Sequence, residues 1–353
     1  MLLPGKTVSN TDCKVVIGLL AHKDIKQFQH FIRNHWRKDH LFAQEASVFN
    51  WQHKGDAAYH CMVAKRENEL LGVQCLIPQS HFDASLPRNQ IFLALWRALE
   101  DKEIGIGLRL FKAIVEEYKP EFIGSIGIAS IAIPFHVWQG FTVGRMDHHV
   151  FLSPYVSKFT NATVPFSVRK KFLSTESLFF EKISEVSSFK NEIDSLGLYQ
   201  LPIKSSEFIR NRYMRHPVYS YEVLGIFQGS KLYGLCVFRL IKHNEAIILR
   251  WVDFMGPNEI IAALQVPMLN IMKKYNAEYI DIYSHGIPSE LLQEAGFVDR
   301  YRMDNLVVPN YFEPFEKKNV DLYFAYKACT KNTLVRLFKS DGDQDRPNKV
   351  KDI

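Results

Sequence analysis

Apolar positions along the chain alternate between two patterns. Some recur at spacings of three and four, as on one face of a helix, and others form short unbroken runs, as in buried strands. Residues 15–20 are an apolar run that predicts a strand. Asp24 then stands at a capping position before Ile25, Phe28, Phe31, Ile32, His35 and Trp36, which share one helical face. A second helical stretch is predicted over 41–49. The runs 59–65 and 70–77 flank a polar turn at 66–69 and predict a hairpin. Residues 91–99 read as a buried strand, 105–118 as a helix stopped by Pro120, and 122–131 as another buried strand. A short helix before Gly140 and a strand over 141–152 follow.

The same order of elements then recurs. Helical patterns lie within 172–215, and a hairpin joins 221–227 to 232–240 through the turn Gln228-Gly229-Ser230-Lys231. A strand over 246–254 precedes a long helix over 258–275. A strand over 279–283, a short helix over 288–295 and a last strand after Gly296-Phe297 complete the half. Gly72 and Gly234, and Gly140-Phe141 and Gly296-Phe297, hold matching places. This is a shared order of elements without sequence identity, a structural duplication. Residues 154–165, polar and bounded by two prolines, form the expected linker. The fold class that follows is α/β (α+β), with domains at 1–155 and 166–353, each a mixed central sheet flanked by helices.

Bulk composition narrows the function without choosing it. The 353 residues are 47% hydrophobic and 23% charged, an ordinary globular balance that supports two domains. Five scattered cysteines with no C-x-x-C pair argue against a disulfide framework or a zinc knuckle, so no metal site is expected. No secretory signal and no run of 18 apolar residues is present, which points to the cytoplasm and against membrane insertion. The formal charge of +6 favours anionic small molecules mildly. It falls short of a nucleic-acid-binding composition, and no zinc-finger or RNP motif is present.

One stretch carries chemistry. Lys102-Glu103-Ile104-Gly105-Ile106-Gly107 lies between a predicted strand and a helix. Glycines there let backbone approach a ligand, and the free N–H groups of the first helical turn face an anion, with a pyrophosphate as the natural guest. A dinucleotide fingerprint would need a third glycine where Leu110 stands.

Strand, [Arg/Gln]-x-x-Gly-x-[Gly/Ala], helix, strand, short helix and Gly-Phe together resemble the GNAT superfamily of acyl-CoA transferases. The resemblance spans about 15–152 by motif and the second half by order alone, so it implies two GNAT-like domains. Lys102 stands where the family usually has Arg or Gln. The second half has Met255-Gly256-Pro257 in place of the glycine loop. The resemblance implies acetyl-CoA or another acyl-CoA bound at Lys102 to Gly107, with backbone N–H at the end of the preceding strand, near Leu99, polarising the thioester.

The family's acid, often a tyrosine five residues before the Phe of Gly-Phe, falls on His136 here and on Leu292 in the second half. His40 is the candidate base. Arg212, Arg215, Asp253 and His285 are candidate substrate contacts, the arginines for a diphosphate. Trp96 and Trp251 read as core residues.

The stretch 340–348, with Asp341, Asp343 and Asp345 alternating, looks like the opening of a calcium loop. Arg346, however, stands where such a loop needs glycine. Otherwise it reads as a charged, mobile terminus. With Asn310 to Phe315 it resembles C-terminal signatures of uncharacterised GNAT-like proteins in bacterial surface-polysaccharide clusters. The resemblance implies an N-acyltransferase (or O-acyltransferase) acting on a nucleotide-linked amino sugar. The alternatives are a tRNA-dependent aminoacyl transferase like the peptidoglycan-bridge enzymes and a non-enzymatic binding module.

Overall fold

The computed structural model describes residues 14–165, 178–310, 315–330 and 333–346. The opening Met1 to Cys13, the helical pattern at 172–177, the aromatic stretch 311–314 and the end of the tail at Pro347 and Asn348 lie outside the described residues.

The first half contains β1 (Val16–Leu19), α1 (Ile25–His35), α2 (Leu41–Gln44), α3 (Ala46–His53) and the hairpin β2 (Cys61–Arg66) with β3 (Glu69–Pro78). It continues through β4 (Gln90–Ala98), α4 (Ile106–Tyr118), β5 (Phe122–Ile126), α5 (Ile133–Trp138), β6 (Thr142–Arg145) and β7 (Asp147–Leu152). The second half runs β8 (Phe179–Lys182), α6 (Lys190–Gly197), α7 (Ser206–Ile209), β9 (Tyr221–Gln228), β10 (Lys231–His243) and β11 (Ala246–Met255). Then come α8 (Gln265–Tyr275), β12 (Ala277–His285), α9 (Ser289–Glu294), β13 (Val298–Asp299), β14 (Tyr323–Ala328) and β15 (Leu337–Phe338). The long helix expected from residue 258 instead opens as a 3-10 helix, Asn258–Ala263, and is α-helical only from Gln265.

Two mixed sheets flanked by helices result, in the orders β1-β2-β3-β4-β5-β14-β6 and β13-β7-β12-β11-β10-β9-β8, with β15 added beside β12. The sheets trade strands across the linker. The run 141–152, read from the sequence as one strand, breaks at buried Met146. Before it, β6 stays with the first sheet. After it, β7 pairs antiparallel with β12, from Tyr279↔Leu152 to Ser284↔Asp147. In return β14 sits between β5 and β6, with Phe324↔Ile126 on one side and Tyr323↔Arg145 on the other. A strand's apolar run states that it needs partners but not which edge supplies them, so the linker between the halves does not divide their sheets.

Helices α1 to α3 cover one face of the first sheet, where Phe28, Ile32, Phe42 and Phe49 meet Val73, Cys75 and Leu95. Helix α4 covers the other, with Ile106, Leu110, Phe111 and Ile114 against Leu71, Leu76 and Leu93. A further cluster joins the halves, packing Ile77, Phe82 and Leu86 against Phe208, Tyr213 and Val237.

The tail corrects the expectation of a mobile terminus. Ser340, Asp341, Asp343 and Asp345 are all buried. Protein cations and hydroxyls fill the places around them that a calcium ion would need. Lys204 Nζ lies 2.9 Å from Asp341 and 2.7 Å from Asp253. Arg239 and Tyr221 both hold Asp345 at 2.7 Å.

Candidate active site

Strands β4 and β5 run parallel and pair only from Gln90↔Phe122 to Leu93↔Ser125. Beyond that they part, although β4 continues to Ala98. On its other edge β4 remains paired with β3, but one residue is inserted between Leu93↔Leu76 and Trp96↔Gln74. Leu93 packs on the α4 face, while Ala94 and Leu95 both pack on the α1 face. This is a bulge at the point where the sheet opens, and bulges re-aim backbone and side chains at such places. A cleft of about 710 Å³ passes through the gap. Leu99 cannot polarise a ligand as the sequence suggested, since its N–H is bound to Leu71 O at 2.8 Å. Among the described residues, the edge of β4 beyond Leu93 has no strand partner on the cleft side.

The glycine loop borders this cleft. Gly105 caps α4 at φ +83°, and a Cβ added there would meet nothing within 4 Å. The glycine is required for its left-handed backbone, and the space beside it is open. Gly107 answers a different need, because a Cβ would crowd Trp96 at 3.0 Å. Ile106 is core, Ile104 is 90% exposed, and Lys102 is exposed. Glu103 is committed to Arg66 and Arg109. The anion seat itself holds Glu100, a residue the sequence reading passed over. Its two carboxylate oxygens accept from Gly105 N at 2.6 Å and Gly107 N at 2.9 Å. That arrangement is the one a phosphate would take at a helix N-terminus.

His136 lines the cleft from α5 and is buried. Its Nδ1 lies 2.8 Å from Ala132 O, which can only accept, so Nδ1 carries the proton and Nε2 the lone pair. Burial lowers its pKa against the opposing effect of that hydrogen bond, so the ring is neutral. Its Nε2 has no hydrogen-bond partner among the described residues, nor do Trp96 Nε1 and both amide atoms of Gln74. All three side chains line the cleft. Buried polar atoms are seldom left unpaired, and these groups are open to a hydrogen-bonding partner from the cleft. Trp96 is thus a cleft residue and not the core residue its apolar strand suggested, whereas Trp251 is fully buried core.

His40 stands differently. Its Nδ1 accepts from Phe42 N at 3.1 Å, capping α2, so Nε2 bears the proton. Burial, then Arg346 and Arg37, lowers its pKa to about 3. The ring therefore offers a donor and no free lone pair.

The second-half candidates are not brought to the cleft. Asp253 is bound by Lys204, by Tyr213 OH at 2.5 Å and by Phe254 N. Arg212 is buried over Trp51 and Phe82 and donates to Ser340 O at 2.9 Å. Arg215 is exposed and touches Asn211. His285 lies against Phe324 and Tyr326, its pKa lowered by burial. What the second half does bring is Asp343, Gln344 and Arg346, which line the cleft. Alternating aspartates were visible in the sequence, but nothing local ties them to a loop over two hundred residues away.

No described protein family and no curated protein matches this sequence. Among solved structures, a GCN5-related N-acetyltransferase from Anabaena variabilis aligns with a TM-score of 0.54 at 10% identity, covering 90% of this chain and 73% of that one. A GCN5-related N-acetyltransferase from Sphaerobacter thermophilus aligns with a TM-score of 0.45 at 10% identity, covering 90% and 96%. The Anabaena likeness concerns the fold, which in this chain is two GNAT-like units with the glycine loop in the first.

Proposed function

We propose that the chain is an acyl-CoA-dependent N-acyltransferase, acetyl-CoA being the simplest donor, and that the reaction takes place in the cleft between β4 and β5. The observation that carries this reading is the conjunction of that cleft with the loop at its mouth. The strands part at a bulge, and the two N–H groups of Gly105 and Gly107 already hold two anionic oxygens. With Glu100 displaced, the same two N–H groups would receive the oxygens of a pyrophosphate. The acyl-CoA supplies an activated thioester.

The protein's part is positioning and proton movement. The free edge of β4 would face the carbonyl oxygen as negative charge develops. As the amine's nitrogen bonds to the carbonyl carbon and the carbon–sulfur bond breaks, a proton must leave nitrogen and reach sulfur. His136 Nε2, a neutral acceptor in the wall, can take it and return it, leaving an amide and the free thiol. In this reading His136 is a relay and not a resident acid. A nucleotide-linked amino sugar as acceptor rests on the resemblance of the tail.

A second reading, a binding module that takes no CoA, is favoured by one observation, the carboxylate of Glu100 in the phosphate seat. Calorimetry with acetyl-CoA on the wild type and on Gly105→Trp tests both. Wild-type binding that falls at least about tenfold in the variant, roughly 1.4 kcal/mol, supports the acyl-CoA reading. No binding of acetyl-CoA or longer acyl-CoAs by the wild type sinks it.

A further inference from the structure

We infer that Asp343 and Arg346 of the C-terminal segment are the acceptor-binding residues of the cleft, selecting a primary amine that carries a neighbouring anionic group, with Asp343 holding the amino group, which arrives as an ammonium and gives one proton to solvent before it attacks, and Arg346 holding the anion. This rests on the acyl-transfer reading above.

The cleft pierces the sheet. Trp96, which packs against Gly107, and His136 on α5 line it with the glycine loop, on the α4 side. The guanidinium of Arg346 lies 5.4 Å from the Phe42 ring, in the core under α1 to α3, and thus on the opposite side. Donor and acceptor in a direct transfer must meet from two directions, so the tail side is where the amine enters.

The segment is held firmly enough to read a substrate. Asp341 and Asp345, on either side, are tied to Lys204 and to Arg239 with Tyr221. The amide of Gln344 packs on Gly127. Asp343 and Arg346 bind each other, through Nε to Oδ2 at 3.1 Å. Their side chains are only 7% and 15% exposed.

Each keeps unused capacity. Among the described residues, the other Asp343 oxygen has only the Gln344 amide, at 3.4 Å. Both terminal nitrogens of Arg346 lack a hydrogen-bond partner among the described residues, as does the buried Nε2–H of His40, which is near enough to feel the arginine's charge. The pair lines the cleft, where its remaining lone pairs and protons are open to a guest. A zwitterionic guest engages both ends, and Trp36, 45% exposed at the rim, offers a flat apolar surface to its body.

The test uses the full chain, acetyl-CoA and matched amines: glucosamine 6-phosphate against glucosamine, and alanine against alaninamide. Free-thiol release is followed, and the pairs distinguish a phosphate from a carboxylate. The anionic member of at least one pair is expected to be favoured by at least about tenfold in kcat/KM, the worth of one charge-assisted hydrogen bond. Arg346→Gln should abolish that preference by raising the acceptor KM about tenfold with kcat nearly unchanged. Asp343→Asn should raise KM for both members of the pair. Circular dichroism and an unchanged acetyl-CoA affinity show that the variants keep their fold.

A preference for the uncharged amines, an unmoved KM in both variants, or no turnover of any anionic amine while acetyl-CoA binds would overturn the assignment alone. Absence of acetyl-CoA binding overturns the donor reading and this assignment with it.

Discussion

The two halves share a fold but treat the gap in the sheet in opposite ways. In the first, β4 and β5 part after Leu93↔Ser125 and the opening is a cleft. In the second, β11 and β12 stay paired to Trp251↔Ile282, and β15 adds to β12 at Ser284 and His285, filling the place where they would part. Phe338 is fully buried there with Trp251 and Phe254. The helix entries differ in the same sense. Gly105 opens α4 with two N–H groups aimed at the carboxylate of Glu100. In the second half Pro257 removes an N–H, and buried Arg336 donates to Gly256 O at 3.0 Å and Asn258 Oδ1 at 2.7 Å. One entry is arranged for an anion and the other is occupied by a cation. The fold therefore provides an opening, and the side chains at its mouth decide whether it becomes a site or core.

The largest effect expected from disturbing this contrast is on stability. Phe338→Ala removes the stopper of the second half and should cost about 3–5 kcal/mol, read from urea unfolding. A cost below about 1 kcal/mol would mean that the second gap collapses without it and that the contrast is not one of plugging.

In the open half, His136→Gln should lower kcat by about 10² or more, with acetyl-CoA affinity retained. The sign of the pH dependence follows from the tautomer. Nε2 acts only when the ring is neutral, and burial lowers its pKa. Activity should hold as pH falls through 6.5, the ordinary histidine value, and decline only below it. A rate that instead rises as pH falls would return His136 to the role of acid.

The smallest effect is the most discriminating between the halves. Glu100→Gln weakens the tethered competitor for the anion seat, so acetyl-CoA should bind about tenfold more tightly. An acetylated pantetheine fragment without the pyrophosphate should bind equally to both forms. Weaker acetyl-CoA binding by the variant would show that Glu100 orders the loop instead of competing at it.

Much of the architecture was legible because it is local. The three-to-four spacing of α1, the apolar runs of β4 and β5, and the hairpins at 66–69 and 228–231 each announce themselves within about ten residues. Gly105 before an amphipathic helix likewise marks the loop by itself. The chemistry at the loop was less legible. Glu100 reads as one acid among several until the chain turns back and brings its carboxylate to Gly105 and Gly107. His136 could be found by its place before Gly140-Phe141, but the carbonyl that sets its tautomer is visible only in three dimensions.

By itself, then, the sequence determined two α/β units, their order of elements and which of them carries a glycine loop, since these depend on backbone preference and apolar periodicity over short stretches. Only the tertiary structure decided the exchange of β7 and β14, the stoppering of the second gap by β15 and the arrival of Asp343 and Arg346 in the first half's cleft. Each depends on pairings between residues far apart in the chain. The apolar run of a strand or the charge of an aspartate states that a partner is needed, and the competition among all edges and cations in the folded chain determines which one it meets.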